Sequence, residues 1–149
     1  MDQNQLQRLV EDISIKYFNQ TFEHTATFNS RLKTTGGRYH LRSHNLDFNP
    51  KVFQQLGIDG LVGVIKHELC HYHLHLSGKG YRHRDPEFKQ LLTSVGGLRY
   101  VPKLETTSYR WVYSCSDCGS EFKRIRKMDV KKYVCGRCRG KLHVSEILN

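Results

Sequence analysis

The sequence predicts an α+β fold, with helices packed on a short antiparallel or mixed sheet and a smaller β module at the C-terminal end. Three observations predict it. Apolar residues recur at helical spacing in residues 2–19 and 60–77. Short pieces rich in β-branched and aromatic residues lie between these stretches. Residues 111–149 carry two Cys-x-x-Cys pairs among turn-forming residues.

In residues 2–19, Leu6, Leu9, Val10, Ile13, Tyr17 and Phe18 fall near a 3.6-residue period, which predicts a helix resting on a core. Strand-like pieces follow at 25–28, 37–42 and 46–48, punctuated by a turn at Gly36-Gly37. Asn49-Pro50 closes the last strand, and residues 51–56 suit a short helical turn. Residues 60–77 form the clearest helix, with Asp59 expected as its N-cap and Gly78 as its stop. After a linker rich in Gly and Arg, Asp85-Pro86 marks a third helix start, Asp at the N-cap and Pro at the first helical position. It should run to about Val95 and end at Gly96-Gly97. Residues 98–110 read as a linker and 111–149 as short hairpins around the cysteines. The expected division is a domain over 1–102 and a linker plus cysteine module over 103–149.

With 149 residues, 38% hydrophobic and 26% charged, the composition is that of a globular protein with one core and one small appended module. No apolar run approaches the roughly 18 residues a membrane span needs. Residues 1–5 are polar and lack a signal-peptide pattern, so a cytoplasmic location is expected. The net charge is +10. Residues 111–149 hold nine Lys/Arg against four Asp/Glu, so positive charge is densest there and favours encounter with polyanions such as DNA or other nucleic acid.

His67-Glu68-Leu69-Cys70-His71 carries the chemistry. Two histidines four residues apart share one helix face, about 6 Å apart along the axis, so both imidazoles can reach one zinc ion. A carboxylate next to the first ligand can accept a proton from water without becoming a ligand. The preceding residues 61–65 are apolar and give the ligands buried support. The pattern points to a zincin-like domain, a hydrolase with Glu68 catalytic and His67 and His71 as metal ligands. A catalytic zinc takes a third protein ligand. His75 lies more than a turn from a metal held by His67 and His71, and His73 points to the opposite side of the helix; both are expected at the surface or against the linker. Ser77 and Leu74 stand where a metzincin has His and Gly, which excludes that class. His83 and Glu87 remain as the candidates. Cys70, Tyr72, Tyr81 and Phe88 read as core, with Tyr81 also placed to donate to an oxyanion. Residues 38–42 can run beside the site as an edge to which a substrate strand could be added.

His67-Glu68-Leu69-Cys70-His71 followed by His83-Arg84-Asp85-Pro86-Glu87-Phe88 resembles the SprT family, bacterial SprT-like proteins and the metallopeptidase domain of Spartan among them. Gly36-Gly37-Arg38, the Asn49-Pro50 strand end and a C-terminal zinc ribbon add to the likeness, which covers nearly the whole chain. The linker between the second and third His is shorter than in Spartan-like sequences, and the gap from His83 to Pro86 is one residue longer. The resemblance implies His83 as third ligand, Glu68 as the catalytic residue, and a protease able to act on DNA-associated proteins.

Cys115-x-x-Cys118 and Cys135-x-x-Cys138, sixteen residues apart, predict a four-thiolate zinc ribbon. Gly119 and Gly136 suit its knuckle turns. A module this small takes its folding energy from the metal. Basic residues interleaved with Phe122 and Tyr133 could contact phosphates and stack on bases, or form a solvated hairpin. Two zinc ions are therefore expected, one catalytic and one structural. The competing reading is a zinc-containing nucleic-acid-binding or scaffold protein with little or no turnover. The intact Glu68 favours the enzyme, because holding a metal does not require it.

Overall fold

The computed structural model describes residues 1–105 and 109–148. Residues 106–108 of the expected 98–110 linker, and residue 149, lie outside the described residues. The chain divides into two compact units, Met1–Glu105 and Thr106–Asn149.

In the first unit, helix α1 (Gln3–Phe18) starts with a capping box: Asp2 accepts from the Gln5 backbone N–H, and the Gln5 side chain accepts from the Asp2 N–H. Its buried face is Leu6, Val10, Ile13, Ser14 and Phe18, at spacings of three and four. A mixed sheet follows, built from β1 (Ala26–Phe28), β2 (Gly37–Tyr39) and β3 (Leu46–Phe48) in the order β1-β3-β2. Strand β1 runs parallel to β3 and β2 antiparallel to it, with Arg38 opposite Asp47. This leaves β2 as an edge. It is shorter than the sequence predicts because residues 40–45 turn back tightly, with the His44 N–H donating to the His40 carbonyl and His44 at φ 63°.

Helix α2 (Pro50–Leu76) is the spine of this unit. Asn49 caps it by accepting from the Lys51 N–H, while its amide donates to the carbonyls of Lys33 and Thr35. The expected break before residue 60 falls at Gly57 (φ 71°, ψ −166°), a non-helical conformation that only glycine adopts without strain, where two helical stretches meet at a kink. Because the second stretch already begins after Gly57, Asp59 lies inside it and is not an N-cap. Beyond the kink, Leu61, Val64, Leu69, Cys70 and His73 are all buried, so α2 is covered on more than one side. Helix α3 (Pro86–Val95) begins at Asp85 as expected, although the Asp85 carboxylate accepts from the Arg82 N–H instead of capping the helix.

Residues 98–105 are not a free linker. Leu98 packs against the core and its N–H donates to the Gly63 carbonyl. Leu104 is buried, and Glu105 exchanges two backbone hydrogen bonds with the Gln55 side chain. The periodicity that betrays an amphipathic helix is missing from such a strap, which is why it reads as a linker.

The second unit is an antiparallel sheet of β4 (Trp111–Cys115), β5 (Glu121–Arg124) and β6 (Leu142–Ile147) in the order β5-β4-β6, with a bulge at Val112/Tyr113. Its small core is Cys115, Cys135 and Leu142 with Phe122, Met128 and Val130 against them. Among the described residues, no helix is long and apolar enough to cross a membrane.

Candidate metal centres and the cleft beside them

Helix α2 presents His67 and His71 one turn apart, and the segment before α3 brings His83 to them. The three Nε2 atoms lie 2.9 Å (His67–His83), 3.2 Å (His67–His71) and 3.1 Å (His71–His83) from one another. Glu87, the other third-ligand candidate, is outside this group; a Cβ on Gly80 would meet its carboxylate instead.

Two backbone carbonyls decide what those nitrogens can do. His67 Nδ1–H donates to the Leu98 carbonyl at 2.6 Å, and His71 Nδ1–H to the Tyr81 carbonyl at 2.5 Å. A neutral imidazole carries one ring proton. With that proton committed at Nδ1, each Nε2 faces inward as a bare lone pair, so the 3.2 Å approach of His67 to His71 is not a hydrogen bond. Burial pushes both rings below the ordinary histidine range, His71 to about 4, and the Arg99 guanidinium adds to the effect on both and on His83. Neutral rings with converging lone pairs repel unless a cation sits between them. Tetrahedral zinc at about 2.05 Å from each nitrogen sets the nitrogens about 3.3 Å apart, close to the spacing observed. The donor set fits a divalent zinc ion.

Phe88 of α3 is fully buried beneath all three rings. Its ring stacks on His71 (4.4 Å, 25°) and meets His67 and His83 edge-on, each at 5.2 Å. It was expected in the core, and it is also the floor of the histidine cluster.

Glu68 follows His67 on α2 and is 6% exposed. No ion pair reaches it among the described residues, and burial lifts its carboxyl to about 8. Gly37 of the edge strand lies directly against it: a Cβ there would sit 2.9 Å from Glu68 Cγ. The histidines and Glu68 open into a cavity of about 550 Å³. One wall is the β2 edge with Tyr39, Leu41 and Tyr81; the other is the strap residues Leu98, Arg99, Tyr100 and Val101.

Sequence reasoning missed three contributors. The strap supplies the Leu98 carbonyl that fixes the His67 tautomer. Tyr81 acts on the site through its carbonyl. Tyr39 joins the β2 edge to α2 through His75 Nδ1 (2.6 Å) and to the following turn through His44 Nδ1 (2.8 Å). These links span 31, 10 and 36 residues, and only a Gly-Arg-Tyr strand start hinted at the last. His73 corrects an expectation: it is not at the surface but 4% exposed, bonded to the buried Ser14 hydroxyl at 2.7 Å and tilted against Phe18. It joins α1 to the side of α2 away from the cleft.

In the second unit the four cysteine sulfurs gather within 4.8 Å of one another. Cys115–Cys138 and Cys118–Cys135 sulfurs stand 3.4 and 3.7 Å apart, too far for a disulfide at about 2.05 Å and close to the roughly 3.8 Å spacing around zinc at 2.3 Å from each sulfur. Backbone N–H groups of Cys118, Arg137 and Gly140 point at the sulfurs. Gly119 (φ 73°) makes the first knuckle turn as expected. In the second knuckle the left-handed residue is Arg139 (φ 62°) and not Gly136. This cluster is a zinc site of the ribbon type.

The chain matches the SprT-like family over residues 6–110 and the SprT-like zinc ribbon domain over residues 109–146. Among its relatives is a "Protein SprT-like" of Geobacillus kaustophilus, 53% identical over 97% of this chain and all of that protein. One from Enterococcus faecalis is 56% identical over 95% of this chain and 94% of the relative. One from Lactiplantibacillus plantarum is 53% identical over 91% and 94%. No solved structure matches the chain.

Proposed function

This chain belongs to the SprT-like family, and from that premise we propose that it is a zinc-dependent metallopeptidase that acts on proteins, including proteins associated with DNA. The observation that carries the reading is the convergence of three Nε2 lone pairs, two of them fixed by Nδ1–H bonds to carbonyls, beside an unpaired buried carboxyl in one open cleft.

In this reading His67, His71 and His83 hold the catalytic metal and Glu68 is the general base. Zinc bound there would polarise a peptide carbonyl and make a neighbouring water more acidic. Leu98 and Tyr81 keep the ligands in the tautomer that offers Nε2. Glu68 takes a proton from the attacking water and passes it to the departing amine. Its buried position raises its basicity, and a cation bound by the three histidines would lower its proton affinity again. The free edge of β2 offers backbone N–H and C=O groups to an extended substrate, which would lie antiparallel along Gly37–Tyr39 above Glu68.

Nucleic acid is the proposed second partner, bound by the ribbon. Its charge is supported by aromatics with cations over them: Lys127 and Arg110 near Trp111, and Lys132 near Tyr133. The proposed location is the cytoplasm. The same ribbon supports the second reading, a nucleic-acid-binding scaffold with little turnover.

Wild type and Glu68→Gln, both zinc-loaded, should be incubated with a DNA-bound protein, with and without its DNA. Fragments that need Glu68 are expected. Intact substrate with both proteins at full zinc content selects the scaffold, and equal cleavage by the variant refutes Glu68 as the base.

A further inference from the structure

The residues that line the cleft set the charge it offers a substrate. Glu68 is the one carboxylate among them, and the reaction uses it. The cations are Arg38 and Arg99. Among the described residues neither arginine makes an ion pair: Asp47, opposite Arg38 in the sheet register, is bonded to His40, and Arg99 has only the exposed Tyr100 ring at 5.1 Å as a cation–π partner.

Arg99 is not on a loose tail. The residue before it is anchored twice, by the Leu98 N–H to the Gly63 carbonyl at 3.1 Å and by the Leu98 carbonyl to His67 at 2.6 Å. Two residues later Val101 fills the space over Gly36, where an added Cβ would meet Val101 Cγ2 at 2.6 Å. The backbone that carries Arg99 is thus tied to a metal ligand on one side and to the start of the edge strand on the other. From this fixed strap Arg99 lines the cavity, and its charge acts on His67, His71 and His83.

We propose that Arg99 is a specificity-determining residue that binds a carboxylate of the substrate, so that the cleft selects peptide segments with Asp or Glu next to the bond to be cut. This rests on the metallopeptidase reading and names its substrate class. A guanidinium presents paired donors to a carboxylate, whereas a substrate lysine or arginine beside Arg99 would meet like charge, the one carboxylate of the lining being the buried Glu68. A cavity of about 550 Å³ walled by Tyr39, Leu41 and Tyr100 admits an extended peptide and its side chains. It has no room for a duplex, which favours a peptide carboxylate over a phosphate as the anion that Arg99 meets.

The test uses the full chain with zinc and Glu68→Gln, which holds peptide without cutting it. Fluorescein-labelled, C-terminally amidated decapeptides that differ at one central residue (Glu, Gln or Lys) are titrated by anisotropy. The Glu peptide should bind about tenfold tighter than the Gln peptide, the Lys peptide weakest. Adding Arg99→Gln should level Glu and Gln, and Arg99→Glu should reverse the order of Glu and Lys. A free C-terminus in place of the amide separates a side-chain carboxylate from a terminal one; a preference seen only with the free terminus overturns the side-chain assignment. Equal binding of the three peptides, no binding of any, or a preference that survives Arg99→Gln overturns the proposal. So does an Arg99→Gln loss confined to a single-stranded oligonucleotide. Cleavage of an unfolded protein by wild type, run in parallel, keeps the two ideas apart: Glu68-dependent cleavage without acidic selectivity defeats only the role of Arg99, whereas absent cleavage defeats the peptidase reading.

Discussion

At pH 8, metal-free protein carrying Glu68→Gln is expected to be more stable than metal-free wild type. Burial lifts the Glu68 carboxyl from 4.5 to about 8. Between those values the native state keeps a proton that the unfolded chain has released, so this group's contribution to stability falls as pH rises through the window. His71 and His73 act the other way. Burial pushes both from 6.5 to about 4; they stay neutral in the fold while the unfolded imidazoles take up protons, and stability is lost as pH falls through that range. The opposing slopes overlap below pH 6.5. Within the first unit, Glu68 is the shifted group that titrates from about pH 6.5 to 8, and about 1.4 kcal/mol per pH unit gives a loss of about 2 kcal/mol in wild type; the lowered Cys118 thiol also titrates there but belongs to the second unit. Glutamine keeps the shape of the side chain without the titration. Urea unfolding of chelator-treated protein at pH 6.5 and 8 measures this, followed by helical circular dichroism because all three helices lie in the first unit while the single tryptophan, Trp111, lies in the second. Wild type should lose about 2 kcal/mol and the variant much less. An equal change in both, or a gain in wild type, would refute the argument that an unpaired buried carboxyl controls this range.

Phe88→Ala removes the floor under the three imidazoles and should destabilise the first unit by about 3–5 kcal/mol; thermal unfolding checks this, and zinc competition against a chelating dye should show weakened retention at the histidine site with the ribbon site unchanged. Gly63→Ala places a methyl 2.6 Å from Leu98 Cγ, which must push the Leu98 carbonyl away from His67; zinc affinity at the histidine site should fall by about 10–100-fold, the range for losing a ligand's supporting hydrogen bond, and unchanged affinity would show that the strap does not orient the ligand.

Much of the site was legible because its parts are local. Spacing alone puts His67, Glu68 and His71 on one helix, and Asp85-Pro86 announces the helix whose start delivers His83. Choosing His83 over Glu87 was beyond the reach of spacing, since it depends on how a segment folds back across twelve residues; the resemblance to a family supplied that choice, and the structure brings the Nε2 atoms of His67, His71 and His83 together. The strap was illegible for a physical reason. Leu98 and Leu104 sit on the core singly, without period, and their hydrogen bonds go to residues tens of positions away. His73 was misplaced because the side of α2 opposite the ligands was taken to face solvent, whereas α1 covers it. The separation of a short helical turn at 51–56 from the longer helix was legible, but its position at Gly57, two residues before the expected Asp59 cap, was not.

Metal analysis of the purified chain, combined with X-ray absorption at the zinc edge, tests the central claim most directly. The account predicts two zinc ions per chain: one in a four-sulfur shell, the other in a shell of three imidazole nitrogens with a lighter atom in the remaining position. His83→Ala should abolish the second signal and spare the first. One zinc per chain with only sulfur neighbours, or a nitrogen shell that survives His83→Ala unchanged, would contradict it.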